Sequence, residues 1–122
     1  MKFNRIACAA ALLLAIGISF AMPPTARSDD EPRTISIVAH KYEFVPNQIT
    51  IKKGETVKLE LSTTDVKHGF LVKGLKIDKT ILPGKTTEVV ITPDTAGTFQ
   101  GACNHFCGFG HKKMKMTIVV EP

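Results

Sequence analysis

The residues best equipped for chemistry fall in one stretch, Cys103-Asn104-His105-Phe106-Cys107-Gly108-Phe109-Gly110-His111-Lys112-Lys113-Met114, which reads C-x3-C-x3-H-x2-M. Thiolate and thioether are soft donors, and imidazole suits copper as well as zinc. Methionine is a poor zinc ligand and a common weak axial ligand for copper. Two Cys, one His and one Met on a single loop therefore favour copper. A second imidazole must come from elsewhere. The best placed is His68, in Thr64-Asp65-Val66-Lys67-His68-Gly69-Phe70, where it follows a run with strand character and adjoins a glycine. Asp65, three residues earlier, is placed to orient the site from behind.

The same residues admit blander readings. A Cys103–Cys107 disulfide would close a very short loop and constrain the unfolded chain little. A zinc site on two Cys and two His leaves Met114 idle. A mononuclear copper site on His68, Cys107, His111 and Met114 leaves Cys103 unexplained. His105 reads as a loop side chain, His40 as structural or exposed, and Met116 as core, being in phase with the last strand. Phe106 and Phe109 are expected to pack beneath the loop, with an apolar docking patch as the alternative. Gly108 and Gly110 let the backbone turn sharply around a metal. Lys112, Lys113 and Lys115 form either a solvated surface or a positive rim that steers an acidic electron partner.

The elements that must hold this loop are strands. Ile35, Ile37 and Ala39 alternate with other residues, as do Ile49 and Ile51, then Val57, Leu59 and Leu61, then Val89 and Ile91, then Met116, Ile118 and Val120. Period-two alternation marks strands with one face on a core. Turn signals separate the runs at Pro46-Asn47, Lys53-Gly54, Pro83-Gly84, Pro93-Asp94 and Ala96-Gly97. No sustained helical period follows Thr34, and there is no internal repeat. Several short strands in about 90 residues predict an all-β, antiparallel β-sandwich. The donor loop joins the strand containing Thr98-Phe99-Gln100-Gly101 to the closing strand, at one end of that sandwich.

Before Thr34 the chain changes character. Lys2 and Arg5 precede sixteen uncharged residues, Ile6 to Ala21, with small residues Ser19 and Ala21 at the end. That is the pattern of a secretory signal peptide at 1–21, with an uncleaved short anchor as the alternative. Residues 22–33 are rich in proline and charge and read as a flexible linker, leaving 34–122 as one domain. The mature chain then holds only Cys103 and Cys107, in an exported, extracytoplasmic setting such as the periplasm. The formal charge of +5 falls to +3 without residues 1–21, and no arginine stripe is present, which argues against nucleic-acid binding. No nucleophile–base or acid–base pair stands on a recognisable motif.

From about Phe44 to Val120 the chain resembles the copper-binding domain of subunit II of haem–copper oxidases, which carries the binuclear copper A centre. The matching stretches are Phe44-Val45-Pro46-Asn47-Gln48-Ile49, Asp65-Val66-Lys67-His68-Gly69-Phe70, Leu82-Pro83-Gly84, Gly97-Thr98-Phe99 and the whole Cys103–Met114 loop. The loop also resembles that of nitrous oxide reductase. The resemblance implies a Greek-key β-sandwich of the cupredoxin type. It implies two copper ions bridged by Cys103 and Cys107, one imidazole on each from His68 and His111, and weak ligation by Met114 and by the backbone carbonyl of His105. The family often has Glu at this last position; a backbone oxygen suffices there, so the imidazole is free to tune the site or bind extra metal. The implied function is one-electron transfer with a redox partner such as a cytochrome c or a haem-copper oxidase. Two settings compete: a free or loosely anchored monomeric carrier, with the N-terminal segment as its membrane association, and the copper subunit of a membrane oxidase; the short, signal-like segment favours a soluble carrier or a noncovalently attached subunit. The alternative is a copper chaperone, which would use exposed, labile donors often rich in Met; this chain has one Met in the site and no Met-rich run.

Overall fold

The computed structural model describes residues 31–122, together with the isolated positions 17, 19 and 21. The signal segment at 1–21 and most of the linker at 22–33 lie outside the described residues. Among the described residues there are nine strands: β1 (Arg33–His40), β2 (Glu43–Val45), β3 (Gln48–Lys52), β4 (Val57–Thr63), β5 (His68–Val72), β6 (Ile77–Ile81), β7 (Thr87–Ile91), β8 (Gly97–Ala102) and β9 (Lys115–Glu121). Two single-turn 3-10 helices, Lys73–Leu75 and His111–Lys113, complete the described elements. The strands form a four-stranded sheet in the order β2-β1-β4-β7 and a five-stranded sheet in the order β3-β9-β8-β5-β6.

The core lies between the two sheets, and alternation in the sequence selects it. Ile37 and Ala39 of β1, Ile49 and Ile51 of β3, Val57, Leu59 and Leu61 of β4, and Met116, Ile118 and Val120 of β9 are all buried. Their neighbours along each strand point outward, as the two-residue period requires. Each of these side chains except that of Ala39 contributes about 1.5–3 kcal/mol by leaving water. Phe44 of β2 and Phe70 of β5 meet edge to face across the sandwich, with ring centroids 5.4 Å apart.

The sandwich is not antiparallel throughout. β1 runs parallel to β4, pairing Arg33 with Val57 and Ala39 with Thr63, and β3 runs parallel to β9. The cause is the Pro46-Asn47 turn. β2 leaves β1 by a tight turn, then the chain crosses to the other sheet at Pro46 and continues as β3. The next strand, β4, therefore returns in the direction of β1 and lies beside it.

β5 shows no alternation, because both of its faces are covered. His68, Gly69, Phe70 and Val72 are all buried. Phe70 faces the sandwich core, while Gly69 is roofed by the loop that follows β8. A Cβ on Gly69 would overlap Asn104 Oδ1 and stand 2.9 Å from the backbone nitrogens of both Asn104 and His105. Only glycine leaves room for the loop to lie this close.

Candidate metal centre

Three segments converge at one end of the sandwich: the start of β5, the β1–β2 turn, and the long connection from β8 to β9. The first supplies His68, whose side chain is fully buried. Its Nε2 lies 2.8 Å from Asp65 Oδ1, which leaves Nδ1 facing the loop. Asp65 also accepts hydrogen bonds from the backbone N–H of Lys41, at 2.7 Å, and of Val66, at 2.6 Å, and from the Thr63 hydroxyl. Partial burial disfavours its charge, but the bonds from His68, Lys41, Val66 and Thr63 outweigh that and hold its carboxyl well below the usual carboxylate range. An ionised carboxylate therefore fixes the ring of His68 from behind.

The loop presents its donors inward. Cys103, Cys107 and Met114 are buried, at 5%, 7% and 0% exposure. The two cysteines are free, with sulfurs 3.9 Å apart. Cys103 Sγ lies 4.0 Å from His68 Nδ1, and Cys107 Sγ lies 4.0 Å from His111 Nδ1. Met114 Sδ is 3.4 Å from Cys107 Sγ, and the carbonyl oxygen of His105 is 3.1 Å from Cys103 Sγ. The Gly69 N–H donates to Cys103 Sγ at 3.3 Å. The donor atoms of His68, Cys103 and Cys107 all lie within 4.8 Å of one another. Burial first, and then the Cys103 thiol beside it, push the Cys107 thiol up from 9.0 to about 11. A cation is what would turn this pair into thiolates.

All six residues singled out in the sequence thus come to one place, but not in the same way. His105 turns its carbonyl toward Cys103, while its imidazole Nδ1 is buried without a hydrogen-bond partner. His111 is half-buried, in contrast to His68. Phe106 and Phe109 correct the expectation that they pack beneath the loop: they are 67% and 101% exposed. The space beneath the loop is taken by Tyr42, a residue that sequence reasoning missed. Tyr42 is half-buried in the β1–β2 turn, and its ring lies where a Cβ on Gly108 or Gly110 would be. Gly108 also has φ of +139°, a backbone that side chains rarely adopt. Those glycines mark the contact, but nothing in the sequence says which ring fills it. Asn104 ties the loop to β6, donating from Nδ2 to Asp78 Oδ1 at 2.9 Å. His40 pairs with Glu43 at 3.2 Å on the surface, and Met116 is core.

The donors, two free thiols with two imidazoles, a thioether and a carbonyl, fit copper in their softness. Comparison with known proteins agrees. Residues 9–120 match the family model described as a cupredoxin-like domain. The chain is 35% identical over 88 residues to cytochrome c oxidase subunit 2 of Thermus thermophilus, covering 72% of this chain and 65% of that subunit. It therefore spans just under two thirds of that relative. A heme-copper terminal oxidase dimer contains a chain with 26% identity and a TM-score of 0.67, covering 88% of this chain and 84% of its own. The periplasmic domain of subunit II of cytochrome oxidase from Bradyrhizobium japonicum shares the fold at a TM-score of 0.67 and 18% identity, covering 72% of this chain and 83% of that domain. The strand order, the buried donor loop and the match across nearly the whole sequence place this chain in the cupredoxin-like family.

Proposed function

We propose that this protein carries single electrons through a binuclear copper centre held by Cys103, Cys107, His68, His111, Met114 and the carbonyl of His105. One observation supports the reading above all: two unbonded cysteine sulfurs 3.9 Å apart, each with its own imidazole nitrogen at 4.0 Å. A single copper needs only one of those sulfurs, whereas a binuclear copper site uses both. Copper held by these residues would supply a one-electron couple, with both thiolates available to share its charge. The protein's part is to keep the donors still. Asp65 locks His68, the Gly69 N–H holds the Cys103 sulfur, and Tyr42 props the loop, so little rearrangement accompanies a change of charge.

A copper-handling role asks for exposed, exchangeable donors, and the burial of His68, Cys103, Cys107 and Met114 speaks against it. The setting follows the relatives, which include a subunit of cytochrome c oxidase and a domain described as periplasmic. The reading is of an exported, monomeric domain over 34–122, outside the cytoplasm, exchanging electrons with a haem protein. The basic, apolar segment at 1–21 serves as export signal or anchor, and 22–33 as tether.

Copper loading followed by metal counting and electron paramagnetic resonance tests this. The expected result is two coppers per chain sharing one unpaired electron. One copper per chain with a mononuclear spectrum refutes it.

A further inference from the structure

The end of the sandwich that carries the donors has an unusual surface. Phe109 is fully exposed, Phe106 is two-thirds exposed, and the two rings meet edge to face with centroids 6.2 Å apart. The ring of Phe106 is 6.1 Å from that of His111, the half-buried imidazole of the site. Exposing two aromatic rings to water is unfavourable unless something covers them part of the time.

Charge around this patch is one-sided. The loops that reach this end, 41–42, 64–67, 82–86 and 103–114, contain Lys41, Lys67, Lys85, Lys112 and Lys113 but a single acid, Asp65. That acid is spoken for by His68 and by three further donors. The nearby Glu43 is paired with His40. All five lysines are exposed, and none makes an ion pair among the described residues. Lys115, which the sequence groups with Lys112 and Lys113, stands apart; it lines a groove on the sheet with Leu71, Lys73 and Gln100. At the opposite end, by contrast, Arg33 is neutralised by Glu55 at 2.7 Å.

We propose that this end is a docking face for an acidic redox protein, one that presents carboxylates around an apolar edge close to its own redox centre. The lysines steer the approach and set the orientation, while Phe106 and Phe109 form the contact beside His111. Lysines around exposed aromatics also suit an anionic lipid surface. A redox protein is favoured because the Phe106 ring lies against His111, which, unlike His68, is not fully buried; lipid there would insulate a short way out for an electron. The proposal rests on the electron-transfer reading above.

The test uses the copper-loaded protein and two forms of one donor: native cytochrome c, which is basic, and cytochrome c made acidic by lysine succinylation. Stopped-flow mixing gives the rate constant for electron exchange between about 0.01 M and about 0.15 M ionic strength, where the screening length shrinks from ~30 to ~8 Å. The acidic donor is expected to react about tenfold or more faster than the native one at low salt and to slow as salt is added. The charge-reversed variant Lys112→Glu/Lys113→Glu, which leaves as many acids as lysines on these loops, should abolish that preference. Phe109→Ser should slow the acidic donor at every salt concentration. Reduction by uncharged hydroquinone and the copper spectrum should stay unchanged in both variants.

Amide shifts of the copper(I) protein titrated with succinylated cytochrome c report docking separately from electron flow. Shifts centred on 106–113 with no electron exchange would sink the redox reading and leave the docking face standing. No shifts there, or rates indifferent to the sign of the donor's charge, would overturn the docking proposal while leaving the copper centre intact. Phe109-dependent binding to phosphatidylglycerol vesicles that the acidic donor fails to displace would overturn it in favour of a membrane surface.

Discussion

Gly69→Ala tests whether the donor loop is truly seated on β5. The added Cβ overlaps the Asn104 side chain, which can swing aside by giving up its bond to Asp78. It also lies 2.9 Å from the backbone nitrogens of Asn104 and His105, and these cannot move unless the loop lifts. Forcing a methyl into a packed site costs about 1–3 kcal/mol. For a domain of this size each kcal/mol corresponds to roughly 4–8 °C in melting temperature. Thermal denaturation followed by circular dichroism should therefore show a fall of about 4 °C at the least in the metal-free form. The copper spectrum should change too, because lifting the loop separates the Cys103 sulfur from the Gly69 N–H, now 3.3 Å away. Adding Asn104→Ala should recover only the part of the loss that comes from the side chain. An unchanged melting temperature together with an unaltered copper spectrum would refute the reasoning.

Three further outcomes follow from the same geometry. Met114→Leu keeps the buried volume, so the metal-free protein should lose less than about 1.5 kcal/mol in urea denaturation; its copper spectrum and potential should nonetheless shift, and a spectrum identical to the parent's would make Met114 a core residue only. Asp65→Ala leaves the buried Nε2 of His68 and the Lys41 N–H without an acceptor, a loss of about 1–3 kcal/mol; urea midpoints should drop accordingly, whereas no drop would show that the carboxylate does not hold the ring. For Cys107, whose thiol burial and Cys103 push up from 9.0 to about 11, the folded metal-free protein keeps a proton that the unfolded chain releases. The Cys107 contribution to stability should be level below about pH 9 and decline from there to about pH 11, and Cys107→Ser should flatten that slope; a slope that survives the substitution belongs to another group.

Much of the site was readable because its ligand types are rare and closely spaced. C-x3-C-x3-H-x2-M names its metal by softness, and His68 stands out as a histidine beside a glycine after a strand. The five alternating strands were equally legible, since each has one wet face. β5 was not, because the loop dries its outer face and erases the alternation at His68-Gly69-Phe70. β6 escaped for the opposite reason, being buried only at Ile77 and Ile81. The parallel pairings were hidden because they depend on where β2 hands over to β3, a sheet change that no periodicity records. Tyr42 was invisible because its role comes from a tertiary contact with Gly108 and Gly110. Phe106 and Phe109 misled because aromatic residues are normally buried, and nothing local marks two that are not.

The direction of β1 has a consequence for the whole molecule. The strand starts at Arg33, beside Thr50 and Glu55, and ends at His40, two residues before Tyr42, which packs against the donor loop. Its eight residues, at about 3.3 Å each, set entry and loop some 23 Å apart. Any tether on the N-terminal side would thus pull on one pole, while the proposed exchange takes place at the other. A domain attached by that pole would present its donor end to a partner at a reach set by the length of the leash. Lengthening or shortening the leash would change how far the tip reaches without touching what it does on arrival.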